Sequence, residues 1–98
     1  MAEIKHSYEF MLVISSKLSE DSIEGITNKF KELIEKEAIL ENVDKWGKRK
    51  LAYLINKESE GIYILFSFKS DAKFPAELDR ISKITDGILR SLIVKKED

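Results

Sequence analysis

Between Lys45 and Lys57 the chain reads Lys-Trp-Gly-Lys-Arg-Lys-Leu-Ala-Tyr-Leu-Ile-Asn-Lys: five cations, no acid, and a tryptophan and a tyrosine among them. Cations that meet phosphates release condensed counterions, and aromatic rings stack on bases or guanidinium groups. Residues of these types at this spacing suit contact with a polyanion. The preceding segment, Leu18 to Asp44, carries eight acids against three lysines. The formal net charge of -1 and the calculated pI of 5.9 therefore conceal a separation of charge. A generally basic nucleic-acid binder is excluded, and any such binding is local. The same lysines also suit a solvated edge strand, where charge deters edge-to-edge pairing, and composition alone favours that simpler role slightly.

Catalysis finds little support. His6 is the sole histidine and falls in an N-terminal stretch that reads as loose, so no histidine-pair metal site can form. The lack of cysteine excludes a disulfide scaffold, a thiol nucleophile, a cysteine zinc site and an iron–sulfur site. Glu32, Glu35 and Glu37 fall on the polar side of a helix. Ser15 and Ser16 follow a strand with no base in view to activate them. Gly25, Gly47, Gly61 and Gly87 are too scattered for a phosphate loop. No enzyme activity, cofactor, metal or small-molecule substrate is expected.

Ninety-eight residues, 43% apolar and 36% charged, suit one folded domain over 1–98. No unbroken apolar run is longer than that of Phe10 to Ile14, far too short to span a bilayer, so no membrane partner is expected. Glu3 precedes any basic residue and no apolar leader follows, which predicts no secretory signal and agrees with a cytoplasmic location.

The elements that must position the basic run alternate between two periods. Tyr8 to Ile14 alternates as a strand. Ser19 offers an N-cap with Glu20 and Asp21 in the first turn, and Ile23, Ile26, Phe30, Leu33 and Ile34 recur at helical spacing, predicting a helix from about Glu20 to Glu37. A second strand runs from about Ile39 to Ile55, interrupted at Gly47 as at a bulge, with Arg49, Leu51, Tyr53 and Ile55 on one face. Asn56 to Gly61 reads as a turn and Gly61 to Phe68 as a strand. Phe74 and Pro75 open a second helix, Gly87 stops it, and Ile88 to Lys95 closes the chain as a strand. In that strand Ile88, Arg90, Leu92 and Val94 share one parity, and Leu89 and Ile93 the other.

The order strand, helix, strand, strand, helix, strand predicts an α+β, ferredoxin-like βαββαβ fold: a four-stranded antiparallel sheet with two helices on one face. Right-handed crossovers place the first and third strands centrally. The covered face should carry Phe10, Leu12, Ile62, Ile64 and Phe66. The opposite parity still holds Met11, Val13, Tyr63, Leu65, Leu89 and Ile93. An uncovered face this apolar predicts burial against another macromolecule.

Four segments together resemble the bacterial small-subunit ribosomal protein S6 family. Tyr8-Glu9-Phe10-Met11-Leu12-Val13-Ile14 is similar to its opening strand. Trp46-Gly47-Lys48-Arg49-Lys50-Leu51-Ala52-Tyr53 resembles its Gly-x-Arg-x-Leu-Ala-Tyr signature, the most specific of the four. Asn56-Lys57 to Gly61-Ile62-Tyr63 resembles its lysine-bearing hairpin. Ile88-Leu89-Arg90-Ser91-Leu92-Ile93-Val94-Lys95 resembles its closing strand. The resemblance implies a structural protein of the cytoplasmic ribosome that binds the central domain of small-subunit ribosomal RNA together with ribosomal protein S18. It places RNA contacts on Arg49, Lys57 and Arg90, to which the neighbouring Lys48, Lys50 and Lys95 add charge. The family often has arginine just before its opening tyrosine; here His6 and Ser7 stand there, which shifts that contact to Lys5. Trp46, Tyr63 and Leu65 are the candidate protein-partner residues. A dimerising or small-molecule-sensing ferredoxin-like domain is the alternative. An acylphosphatase-like enzyme ranks last, because Ser15-Ser16-Lys17-Leu18 lacks the glycines and arginine of its phosphate loop.

Overall fold

Strict alternation along the first and third strands builds the sheet that everything else packs on. The computed structural model describes residues 5–55 and 57–96. Its elements are β1 (His6–Ser15), α1 (Glu20–Glu37), β2 (Ile39–Ile55), β3 (Glu58–Ser70), α2 (Phe74–Ile84) and β4 (Ile88–Lys95). The strands form one antiparallel sheet in the order β2-β3-β1-β4, so β1 and β3 are central as expected. Phe10 faces Phe66 and Leu12 faces Ile64 across the β1–β3 ladder, and all four are buried. Phe30 and Ile34 of α1 and Phe74 and Leu78 of α2 join the same cluster, which puts both helices on that face.

Local chemistry sets the helix ends. The Ser19 hydroxyl oxygen accepts from the Ser22 N–H at 3.2 Å, the N-cap expected from the sequence. Ahead of α2, the Asp71 carboxylate accepts from the N–H groups of Lys73 and Phe74, both at 3.0 Å. A part-buried hydrogen bond between the Ser82 and Ser91 hydroxyls, 2.8 Å, ties α2 to β4.

Four readings of the sequence need correction. The segment Glu58 to Gly61 is strand, since Ile55 already pairs with Glu58 across the hairpin turn; Asn56, read as part of that turn, lies outside the described residues. Lys57 occupies the turn at φ 65, a left-handed conformation of hairpin turns. A bulge between Val13 and Ile14 resets the parity of β4, so Ile88 and Ile93 pack with the core while Arg90, Leu92 and Val94 face the other way. Tyr53, grouped by period with Leu51, is 60% exposed. His6 is not in a loose terminal stretch; it pairs with Ser70 inside the sheet.

Candidate nucleic-acid interface

The basic run enters β2 through a bulge. Pairing passes from Lys45–Ile64 to Gly47–Tyr63, which leaves Trp46 without an opposite residue. Gly47 sits at φ 81, where a side chain would be strained, and lets the backbone make this step. The indole is thereby delivered onto the helix-free face. It lies parallel to Tyr63, with centroids 6.4 Å apart and planes 6° apart. Its Nε1 donates to the Asp44 carboxylate at 3.0 Å, which fixes the ring.

Beyond the bulge, Arg49 pairs with Gly61 and shares the open face with Tyr63, while Lys48 pairs with Ile62 and points to the covered side. Trp46, Arg49, Lys50 and Tyr63 line one shallow cavity of about 430 Å³. Arg49, Lys50 and Lys57 are exposed. Leu65 stands between Met11 and Asp44 on the same face, half-buried. Arg90 reaches this face from β4, where its Nη1 donates to the Tyr53 hydroxyl oxygen at 2.9 Å.

The predicted cations fall into two groups. Arg49, Lys50, Lys57 and Arg90 lie toward the hairpin end of the sheet. Lys5 precedes β1 and Lys95 pairs with Tyr8, at the opposite end. Arg90 pairs with Val13, five residues along β1 from Tyr8, so Lys95 stands about 17 Å away at ~3.4 Å per residue. Among the described residues the ion pairs are Glu41–Lys69, Glu77–Arg80 and Asp79–Lys83. Neither Arg49 nor Arg90 is neutralised in this way. The Glu77 carboxyl is held below its usual range by the hydrogen bond from Arg80, on α2 and away from this face.

Two contributors, Asp44 and Glu58, escaped the sequence reading, which named Tyr53 only as a ring able to stack on bases or guanidinium groups. Asp44 anchors the indole; an acid two residues before a tryptophan in a strand was a readable hint. Tyr53 holds Arg90, and Glu58 accepts a buried hydrogen bond from the Ser15 hydroxyl at 2.6 Å. These two pairs lie 37 and 43 residues apart in the chain and leave no local trace.

Comparison with known proteins follows the same residues. The family model described as Ribosomal protein S6 matches residues 7–95. The chain is 50% identical over 93 residues to small ribosomal subunit protein bS6 of Thermoanaerobacter pseudethanolicus, covering 94% of this chain and 98% of that one. It is 46% identical over 92 residues to the protein of the same name in Clostridium novyi, covering 93% and 97%. The crystal structure of 30S ribosomal protein S6 from Thermotoga maritima superposes with a TM-score of 0.89 at 28% identity, over 95% of this chain and 89% of that one. No helix among the described residues is long and apolar enough to cross a membrane.

Proposed function

This chain belongs to the ribosomal protein S6 family, a family of ribosomal proteins and not of enzymes, and from that premise we propose that it is a structural protein of the small ribosomal subunit. In this reading it binds the central domain of small-subunit ribosomal RNA together with ribosomal protein S18. The observation that carries it is the gathering of Trp46, Tyr63, Arg49 and Lys50 around one cavity on the sheet face that the helices leave open. Exposed guanidinium and ammonium groups attract phosphates, and a fixed aromatic pair gives a rigid surface at low entropic cost.

Arg49, Lys50, Lys57 and Arg90 form the main RNA contact. Lys48 adds charge along the β2 edge, and Lys5 with Lys95 makes a separate contact at the far end of the sheet. The protein partner takes Trp46, Tyr63 and Leu65, where the open face is apolar. Phosphate contacts position such a complex, while the protein surface selects its neighbour.

Trp46 is the sole tryptophan and is 40% exposed, so its emission reports on this surface directly. The test titrates an RNA fragment of the central domain into the chain, with and without S18, and follows that emission. Quenching that needs RNA and is sharpened by S18 supports the reading. An unchanged emission, together with no co-sedimentation with small subunits, overturns it; a stable homodimer indifferent to RNA points to the dimerising alternative.

A further inference from the structure

Gly61 decides where the end of the β2–β3 hairpin goes. A Cβ there would stand 2.6 Å from Val13 Cγ1 and 3.5 Å from Leu51 Cδ2. With hydrogen alone at this position, Leu51 and Val13 close over it, and both are buried although no helix covers this face. The hairpin end is thus drawn across the open face. The Ser15–Glu58 hydrogen bond secures it to β1 from the other hairpin strand.

Two residues past Leu51, this path carries Tyr53 over to β4. Its hydroxyl meets Arg90, a contact between the two edge strands, which no ladder joins. Burial does not explain the contact, since Tyr53 is 60% exposed and Arg90 is exposed as well. What it does is hold a guanidinium. One Nη1 hydrogen is committed to the phenol, which leaves the Nε–Nη2 edge for an acceptor. That is the edge with which Arg80 grips the Glu77 carboxylate in this same molecule. Among the described residues no acceptor occupies it on Arg90.

We infer that Tyr53 is a positioning residue, and that Arg90, held by it, seats one RNA phosphodiester on its Nε–Nη2 edge in a two-point hydrogen bond. The inference rests on the RNA reading above and deepens it by naming one seat and what orients it. Two-point recognition needs the planar fork of arginine in one orientation, and a side chain ordered beforehand loses less entropy on binding.

The test compares Tyr53→Phe, Arg90→Ala, Arg90→Lys and the Tyr53→Phe/Arg90→Lys pair, each as the full chain with S18 and the central-domain RNA, across a range of salt. Tyr53→Phe should weaken binding about two- to twelve-fold, the cost of ordering one long side chain, while leaving the salt dependence unchanged because no charge is lost. Arg90→Ala should lower the salt slope by about 0.7–0.9. Arg90→Lys should keep the slope and lose affinity, and Tyr53→Phe should then add nothing further. Wild-type binding by Tyr53→Phe beside a weakened Arg90→Ala overturns the positioning role and leaves the RNA reading intact. Wild-type affinity and slope in Arg90→Ala overturn Arg90 as an RNA contact, and the seat with it. Amide shifts along the hairpin of free Tyr53→Phe beyond Tyr53 and its direct neighbours would make the tyrosine a structural strut, which also overturns the inference.

Discussion

Trp46 and Tyr63 sit on different strands, yet their rings lie within 6° of parallel because the bulge at Gly47 gives β2 one residue more than β3 opposite it. Gly47 has φ 81 and open space around it, so alanine there meets strain and no clash. Gly47→Ala should cost about 1–2 kcal/mol, the penalty of a left-handed conformation for a residue with a Cβ. Urea unfolding measures the cost, and near-ultraviolet circular dichroism should show the Trp46 band weakened. A full band at unchanged stability would mean that the glycine is not what sets the stack.

Phe66 is fully buried, with its ring 5.7 Å from that of Phe10. Phe66→Ala should destabilise the chain by about 3–5 kcal/mol, as large-to-small changes in a packed core do. Chemical denaturation checks this, and a loss under about 1 kcal/mol would contradict the packing.

Gly61→Ala places a methyl 2.6 Å from a stiff, β-branched Val13 that is itself buried. Relief requires the hairpin end to move. The expected loss is about 1–3 kcal/mol, typical of overpacking. The Tyr53–Arg90 hydrogen bond should weaken with it, visible as faster exchange of the Arg90 Nη1 protons that make it. Stability and exchange both as in the parent would show that Val13 and Leu51 yield without moving the hairpin.

Arg49→Ala should weaken RNA binding and lower the salt slope by about 0.7–0.9, the share of one phosphate contact. Lys95→Ala should do so independently, because it stands at the other end of the sheet. Additive effects in the double variant check this, since well-separated sites add. Unaltered affinity in a folded Arg49→Ala chain removes this residue from the interface.

Leu65→Lys places a charge on the apolar part of the open face, between Met11 and Asp44. Recruitment of S18 onto the RNA should fall while the chain stays folded and monomeric. Sedimentation measures both. Retained recruitment would move the partner surface off this face and onto an edge strand.

Much of the architecture was determined by local chemistry. The Ser19 cap and the helical spacing from Ile23 to Ile34 delimit α1 at Glu20–Glu37 without reference to any neighbour. Period-two alternation assigns Phe10, Leu12, Ile64 and Phe66 to the covered face, and the order of elements then leaves few sheet topologies. The concentration of cations between Lys45 and Lys57 was equally plain, being a property of the chain as written.

The tertiary structure alone decided which of those cations act together. Parity holds only until a register shift breaks it; β2 has three against β3, and β4 has one against β1, a strand far away in sequence. So Ile88 and Ile93 turned inward while Leu92 and Val94 turned out, and Tyr53, grouped by period with the buried Leu51, came out to meet Arg90. Lys95 was parted from Arg90 by the length of a strand that the sequence shows as only five residues. A side chain's face is a local property within an unbroken strand, but register across a sheet is set by contacts between distant segments, and the interface was assembled by register.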